Sequence, residues 1–330
     1  MERTGVKEGG TFNVQRTPAP PLDGGEGRGE QGHKSFNAQR PTLNVQRSKS
    51  PILPHEIVFS AFLLLTWVRL VASGHFATVP ALAFLLFLLA TAGVIAWAAA
   101  NPNGLRWRIR LLFYPALMGA SFYMLTPAMA LLGVPKVDAL LNRWDMALLG
   151  RNLSVAGEPF MAPWLTDVMM AAYLFYFIYL VGGPATYCVR NLAKFRLLFV
   201  GMFTVMGLGY IAYTIWPATG PYAHLVFDRP VSGSWFTTMA LPVVHGGSNG
   251  VDVFPSLHLA VSLYLLAFDR LHDRRRFWWV LAPCVALWVS TIYLRYHYFV
   301  DLLAGTALAA VGWGVAAWWA ARTSNLKFEI

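Results

Sequence analysis

Charged side chains are scarce in this sequence. Asp, Glu, Lys and Arg make up 13% of its 330 residues, against 56% hydrophobic residues. A soluble domain needs more charge to solvate its surface, so the balance argues against an ordinary globular enzyme and for a polytopic membrane protein. Cysteine is scarcer still. Cys188 and Cys284 are too few for a disulfide framework, have no metal-ligand spacing, and receive no role. Acidic residues number 16 against 26 Lys and Arg, a net charge of +10. In a soluble chain that excess would suggest nucleic acid. Here basic loops that set membrane topology account for it, and no nucleic-acid partner is expected. An early apolar segment is also missing, so no cleavable signal peptide is visible.

Residues 1–50 differ from the rest. They are rich in Gly, Pro, Gln, Arg and Asn and contain three imperfect copies of one pentapeptide, at Phe12–Arg16, Phe36–Arg40 and Leu43–Arg47. Such a segment buries too little apolar surface to offset its ordering entropy. It is expected to be a disordered basic tail, the repeat reflecting low-complexity drift or a misplaced start codon rather than a docking motif.

Beyond the tail come eight apolar segments, at about 54–73, 77–100, 110–133, 162–188, 195–216, 255–269, 277–297 and 298–320. A bilayer core needs roughly 20 apolar residues per helix. The expectation is an all-α polytopic transmembrane bundle of about eight spans. N-terminal transmembrane helices would occupy 51–135, a catalytic core 136–322 and a short tail 323–330. The sixth span is short, and the seventh and eighth have almost no loop between them. Both features suit helices that end at a site inside the membrane boundary.

Alternation of the spans sorts the loops onto two sides. One side carries 20 of the Lys and Arg residues, 12 without the tail; the other carries five, Lys136, Arg143, Arg151, Arg229 and Arg295. The positive-inside rule makes the first side, with both termini, cytoplasmic. The fifth span ends in Thr214–Tyr222, the sixth begins at Phe254–His258, the seventh ends in Ser290–His297 and the eighth begins at Tyr298–Asp301. All four ends fall on the side poor in positive charge, so the expected site faces the extracytoplasmic space.

The residues gathered there are chemically suggestive. His297 and Asp301 are spaced i, i+4, so a continuous helix places them on one face. Asp301 then holds one imidazole nitrogen and leaves the other as nucleophile or base. Pro255 suits a helix start, with Ser256, Leu257 and His258 in the first turn. Free amides there make an anion site, and His258 is placed to give a proton to a departing oxygen. A single histidine near a helix end is more often an interfacial polar residue, and a single aspartate more often a cap. Intramembrane ionisable groups are costly, however, and four motif ends converge on one face. Together they form a phosphoryl-transfer set that needs no metal or other cofactor.

Pro255-Ser256-Leu257-His258 resembles the second motif of the type 2 phosphatidic acid phosphatase superfamily, and Ser290 through His297 to Asp301 resembles the third. Leu257 stands where that family has glycine, and Thr291 where it has arginine. The family's basic first motif is replaced by Trp216-Pro-Ala-Thr-Gly-Pro221. These departures are similar to the branch of inositol phosphorylceramide synthase, the fungal target of aureobasidin. The resemblance extends to Phe254–His258, to Tyr293–Asp301, and to an Asp-to-Leu-x-Gly stretch within Arg143–Gly150. It implies a six-helix catalytic core in which His297 becomes phosphohistidine, Asp301 orients it, and His258 protonates the leaving alcohol and later deprotonates the acceptor. A phospholipid donor would then pass its headgroup phosphate to a lipid hydroxyl, or to water in a phosphatase acting on lipid phosphate or polyprenyl diphosphate. Ser256, Ser290 and Thr291 are the expected substrate-binding positions of the motifs. Arg295 and Arg229 are the candidates to balance phosphoryl charge. The 217–253 loop, with His224, His245 and Gly246–Gly250, would cover the site or be plainly solvated.

Two readings of another kind compete. A transporter would show broken helices related by an internal repeat, and the spans show none. A scaffold that kept the fold without catalysis would be favoured by loss of His258 or His297, and both are present. Oligomeric state is not legible.

Overall fold

The computed structural model describes residues 52–323; the tail expected over 1–50 and most of that expected over 323–330 lie outside them. Among the described residues the regular structure is helical throughout. The long helices are α1 (Pro54–Ala72), α2 (Val79–Ala100), α3 (Gly104–Leu132), α6 (Pro163–Arg190), α7 (Leu192–Ile215), α10 (Leu257–His272), α11 (Arg274–Tyr293) and α12 (Phe299–Thr323). Shorter ones are α4 (Asp138–Leu149), α5 (Leu153–Ala156), α8 (Pro221–His224) and α9 (Trp235–Gly247), with a 3₁₀ turn at Glu158–Phe160. Seven of the described helices, all the long ones except α10, are long and apolar enough to cross a membrane. The chain is therefore an integral, multi-pass membrane protein.

Local sequence sets the boundaries. Helices α3, α7 and α11 each start on a polar cap that accepts an amide three residues on: Asn103 from Arg106 (2.9 Å), Asn191 from Lys194 (2.9 Å) and Asp273 from Arg276 (3.0 Å). Such caps satisfy amides that the first helical turn leaves without partners. Gly133 ends α3 at φ 59°, a left-handed conformation that suits glycine.

Helix α10 is the short sixth span, and its surroundings explain its length. At about 1.5 Å per residue its 16 residues reach about 24 Å, less than the roughly 30 Å hydrocarbon core. It packs against α6, α7, α11 and α12, and ten of its residues are buried. A helix enclosed by protein has no lipid thickness to match. It runs antiparallel to α11. At one end Arg276 Nε donates to Asp269 Oδ2 (2.7 Å), and Tyr179 Oη donates to the same oxygen (2.8 Å). At the other end the Ser256 amide donates to the Asp301 carbonyl (3.0 Å). The N-terminal helices α1 and α3 pack on α7, and a fully buried pair ties them to each other: Arg110 donates from Nε (2.6 Å) and Nη2 (2.5 Å) to the two Glu56 oxygens. Bidentate geometry is what makes a buried pair tolerable, because desolvation of each ion is costly.

Helix α4 was not expected. Its buried residues Asp138, Leu141 and Asp145 fall on one face at helical spacing. That face covers the end of the bundle where the motifs meet, and its two aspartates set the geometry there.

Candidate active site

His297 and Asp301 meet, although by a different route from the one their spacing suggests. The helix is not continuous: α11 stops at Tyr293, α12 starts at Phe299, and His297 lies in the connection. Arg295 turns the chain with φ 66°. The Tyr296 and His297 amides fold back onto the Thr291 carbonyl (2.9 and 3.1 Å). The result places His297 Nδ1 at 3.2 Å from Asp301 Oδ2, which also accepts the Tyr298 amide at 2.8 Å. A proton held on Nδ1 by this carboxylate leaves the Nε2 lone pair free.

That Nε2 lies 3.5 Å from His258 Nδ1. His258 is the second residue of α10. Helix α10 begins two residues later than Pro255 suggests, and Ser256 is its cap rather than part of its first turn, accepting the Leu259 amide at 3.4 Å. The His258 ring sits against Tyr173 and Tyr176 of α6, with ring centroids 4.7 and 4.5 Å away. These tyrosines escaped the sequence reading. Their signal was the three-residue spacing of Tyr173, Tyr176 and Tyr179 in an otherwise apolar span; all three are buried.

Carboxylates and backbone hold the His297 connection. Asp145 accepts the Phe299 and Val300 amides, each at 2.9 Å, and so caps α12. Burial pushes its carboxyl above the usual carboxylate range, against the pull of these two amides. Asp138 accepts the Thr219 amide, the Gly220 amide (2.8 Å) and the Tyr298 hydroxyl (3.2 Å). The segment Trp216–Pro221 thereby docks against the 295–298 turn, and the Tyr222 amide donates to the Arg295 carbonyl (2.9 Å). Gly220 has φ 102°, and a Cβ there would lie 2.5 Å from the Tyr296 carbonyl oxygen, so both conformation and space require glycine.

The expected substrate-binding positions divide from the histidines. Ser256 is buried as a cap. Ser290 and Thr291 hydroxyls donate to the Leu287 and Trp288 carbonyls within α11 (2.7 and 2.8 Å). Arg295 is turned away: its Nη2 donates to Glu158 Oε1 (3.2 Å) and to the Arg229 carbonyl (2.6 Å), and its guanidinium lies over Phe227. The Arg229 amide also donates to Glu158 (3.2 Å). None of Ser256, Ser290, Thr291, Arg295 and Arg229 lines the cavity that holds the histidines.

This cavity has a volume of about 960 Å³. Its polar end carries His258, His297, Asp252, Ser248, Thr219, Tyr222, His245 and Tyr296; its apolar walls come from α3, α6 and α7. Along α6 the wall runs from Tyr173 to Val189, about 24 Å at the rise of an α-helix. Helix α3, grouped by sequence with the N-terminal spans, thus contributes directly to the site. The 217–253 segment contributes α8 and α9 and supplies polar wall residues.

An all-helical membrane bundle with paired histidines at the head of an apolar cavity defines a class of lipid-handling membrane enzymes. The model of the PAP2 superfamily matches residues 141–315, and the chain belongs to that superfamily. Membership supports an enzyme of the lipid phosphatase or phosphotransferase type. No curated protein and no solved structure matches the chain.

Proposed function

We propose that the chain is a lipid phosphotransferase of the inositol phosphorylceramide synthase kind, moving a phosphoryl-linked headgroup between lipids through phosphohistidine on His297. The observation that carries this reading is the pairing of His297 with Asp301 and His258 at the polar end of a long apolar cavity. Hydrocarbon chains lie along α3, α6 and α7, which brings the donor phosphate to the histidines. Nε2 of His297 attacks phosphorus, and the bond from phosphorus to the diacylglycerol oxygen breaks. His258 gives its proton to that oxygen. It then takes the proton of the acceptor hydroxyl, whose oxygen attacks phosphorus and displaces Nε2. Asp301 stabilises the positive charge on His297 while the P–N bond exists. The free amides at the start of α10 face the phosphoryl oxygens.

With water as acceptor the same steps give a hydrolase: a diester donor leaves as diacylglycerol and a headgroup phosphate, and a lipid phosphomonoester donor gives the phosphatase outcome, inorganic phosphate. Purified protein incubated with phosphatidylinositol labelled in its headgroup phosphate, with and without ceramide or diacylglycerol, separates the two. A new labelled phospholipid that depends on the added acceptor supports transfer. Label released only into water-soluble products overturns it in favour of hydrolysis.

A further inference from the structure

The phosphoryl-transfer steps leave one charged residue of the cavity wall unused. Asp252 lies between α9 and α10, six residues before His258, and lines the cavity together with both histidines. Its Oδ1 accepts a hydrogen bond from Ser248 Oγ at 3.1 Å. Among the described residues that line the cavity it is the one carboxylate, and no lysine or arginine lines it. Lys136 reaches only the rim, where its exposed ammonium donates to Thr219 Oγ1 (2.5 Å).

Burial raises the Asp252 carboxyl above the usual carboxylate range, against the pull of the Ser248 hydrogen bond; in its ionised form it is an unfavourable neighbour for a phosphate monoester, which approaches a double negative charge near neutral pH. The penalty is roughly halved for a phosphodiester, which carries one charge, since Coulomb energy scales with the product of the charges. It is offset further when the diester brings hydrogen-bond donors for the carboxylate to accept from. The neighbouring rings narrow the choice of donor. Tyr222 stacks on His245 (5.4 Å, 20°), and Tyr296 meets both at 81°. Stacking covers one face of Tyr222 and one of His245, so beside the Asp252 carboxylate this wall offers hydroxyl and imidazole nitrogen as hydrogen-bond partners for a polyol.

We infer that Asp252, flanked by Ser248 and Thr219, forms a headgroup subsite that accepts hydrogen bonds from a polyol on a phosphodiester lipid and turns away phosphomonoester lipids. This inference rests on the proposed phosphoryl-transfer site, and binding separates the two. The His297→Ala protein cannot form phosphohistidine, so it reports lipid affinity alone. Its retention of labelled phosphatidylinositol, phosphatidate and phosphatidylcholine in nanodiscs is measured with Asp252 intact and with Asp252→Asn. Asp252→Ser is measured in parallel, so that one unfolded variant does not decide the matter. The expected result is phosphatidylinositol binding weakened about tenfold while phosphatidate binding is strengthened. Equal changes for both lipids, or none, would overturn the inference. Loss of phosphatidylcholine equal to that of phosphatidylinositol would overturn the polyol assignment in favour of a cation. If the selectivity shifts as expected while the wild-type protein transfers no phosphoryl group, the subsite stands and the transfer reading falls.

Discussion

Replacing Asp145 with alanine tests whether the catalytic geometry depends on the cap of α12. Asp145 is 1% exposed, and its two oxygens accept the Phe299 and Val300 amides at 2.9 Å each. Hydrogen bonds to a charged group contribute about 1.5–3 kcal/mol apiece, which would put the loss at roughly 3–6 kcal/mol. Helix caps removed at exposed ends cost only about 0.5–2 kcal/mol, because water takes over the amides. Burial decides between the two ranges. No water reaches amides beneath a 1% exposed side chain without the turn opening, so about 3 kcal/mol is the expectation. The body of α12 packs along α7 and α10 and remains folded; the fraying falls on its first turn, which carries Asp301.

Two readouts separate stability from positioning. Tryptophan fluorescence in detergent follows melting, where a loss of this size lowers Tm by about 4–5 °C for a protein of this length. Turnover at saturating lipid should fall by about tenfold to a hundredfold, since a misplacement near 1 Å costs on that order. Asp145→Asn keeps one acceptor and should lie between the wild type and Asp145→Ala on both scales. An alanine variant with unchanged melting and kcat/KM within twofold of wild type would refute the reasoning.

His297→Ala should abolish turnover while the protein stays folded, and Asp301→Asn should be damaging but less complete, because Asp301 orients rather than attacks; residual activity above a few per cent in His297→Ala would remove it as nucleophile. Glu158→Gln should reproduce the loss of activity of Arg295→Ala, and the double variant should be no worse than either, because Arg295 acts through its ion pair; additive losses would return Arg295 to the role of phosphate ligand. Activity should persist in EDTA, since the histidine mechanism requires no cation and, among the described residues, no three His, Cys, Asp or Glu side chains group at ligand spacing; loss restored by one metal would count against the mechanism. In a background lacking Cys188 and Cys284, Ser232→Cys should react with an impermeant maleimide on intact cells and Arg275→Cys only after lysis; the reverse pattern would place the site on the cytoplasmic side.

Much of this architecture could be read from the sequence, for a physical reason. Spanning helices write themselves as long apolar runs, and the structure ends them within a few residues of expectation at Ala72, Ala100, Leu132, Arg190 and Ile215. His258, His297 and Asp301 stood out because ionisable groups at span ends are rare. The length-independent burial of α10 was not written anywhere, since it depends on which helices surround it. The pieces of the His297 turn were equally hidden. Asp138 lies 160 residues from Tyr298 and 82 from Gly220, and Asp145 lies 154 from Phe299; their alternation with Leu141 on α4 is too short a pattern to separate from a loop. Arg295, expected as a phosphate ligand, pairs with Glu158 in the structure, and spacing along the chain did not show this because it does not show the left-handed backbone at that residue.

The departures of this chain from the usual motifs of its superfamily have consequences at named positions. Where glycine is usual, Leu257 is buried against α7. Gly209 makes the room, because a Cβ on it would come within 2.5 Å of Leu257 Cδ2. Where arginine is usual, the Thr291 hydroxyl donates to the Trp288 carbonyl within α11 (2.8 Å), so the side chain at this position does not line the cavity. Where a basic first motif is usual, Trp216–Pro221 contributes backbone that Asp138 fastens to the His297 turn. At position 257 packing takes the place of a flexible residue, and at the other two positions no lysine or arginine side chain lines the cavity. A site assembled this way loses less to salt screening than one built on exposed charge pairs, and it gives up the cations that would draw in a doubly charged phosphate. Its selectivity then has to come from the shape and hydrogen bonding of the headgroup, and the wall that meets the headgroup is the one that carries Asp252.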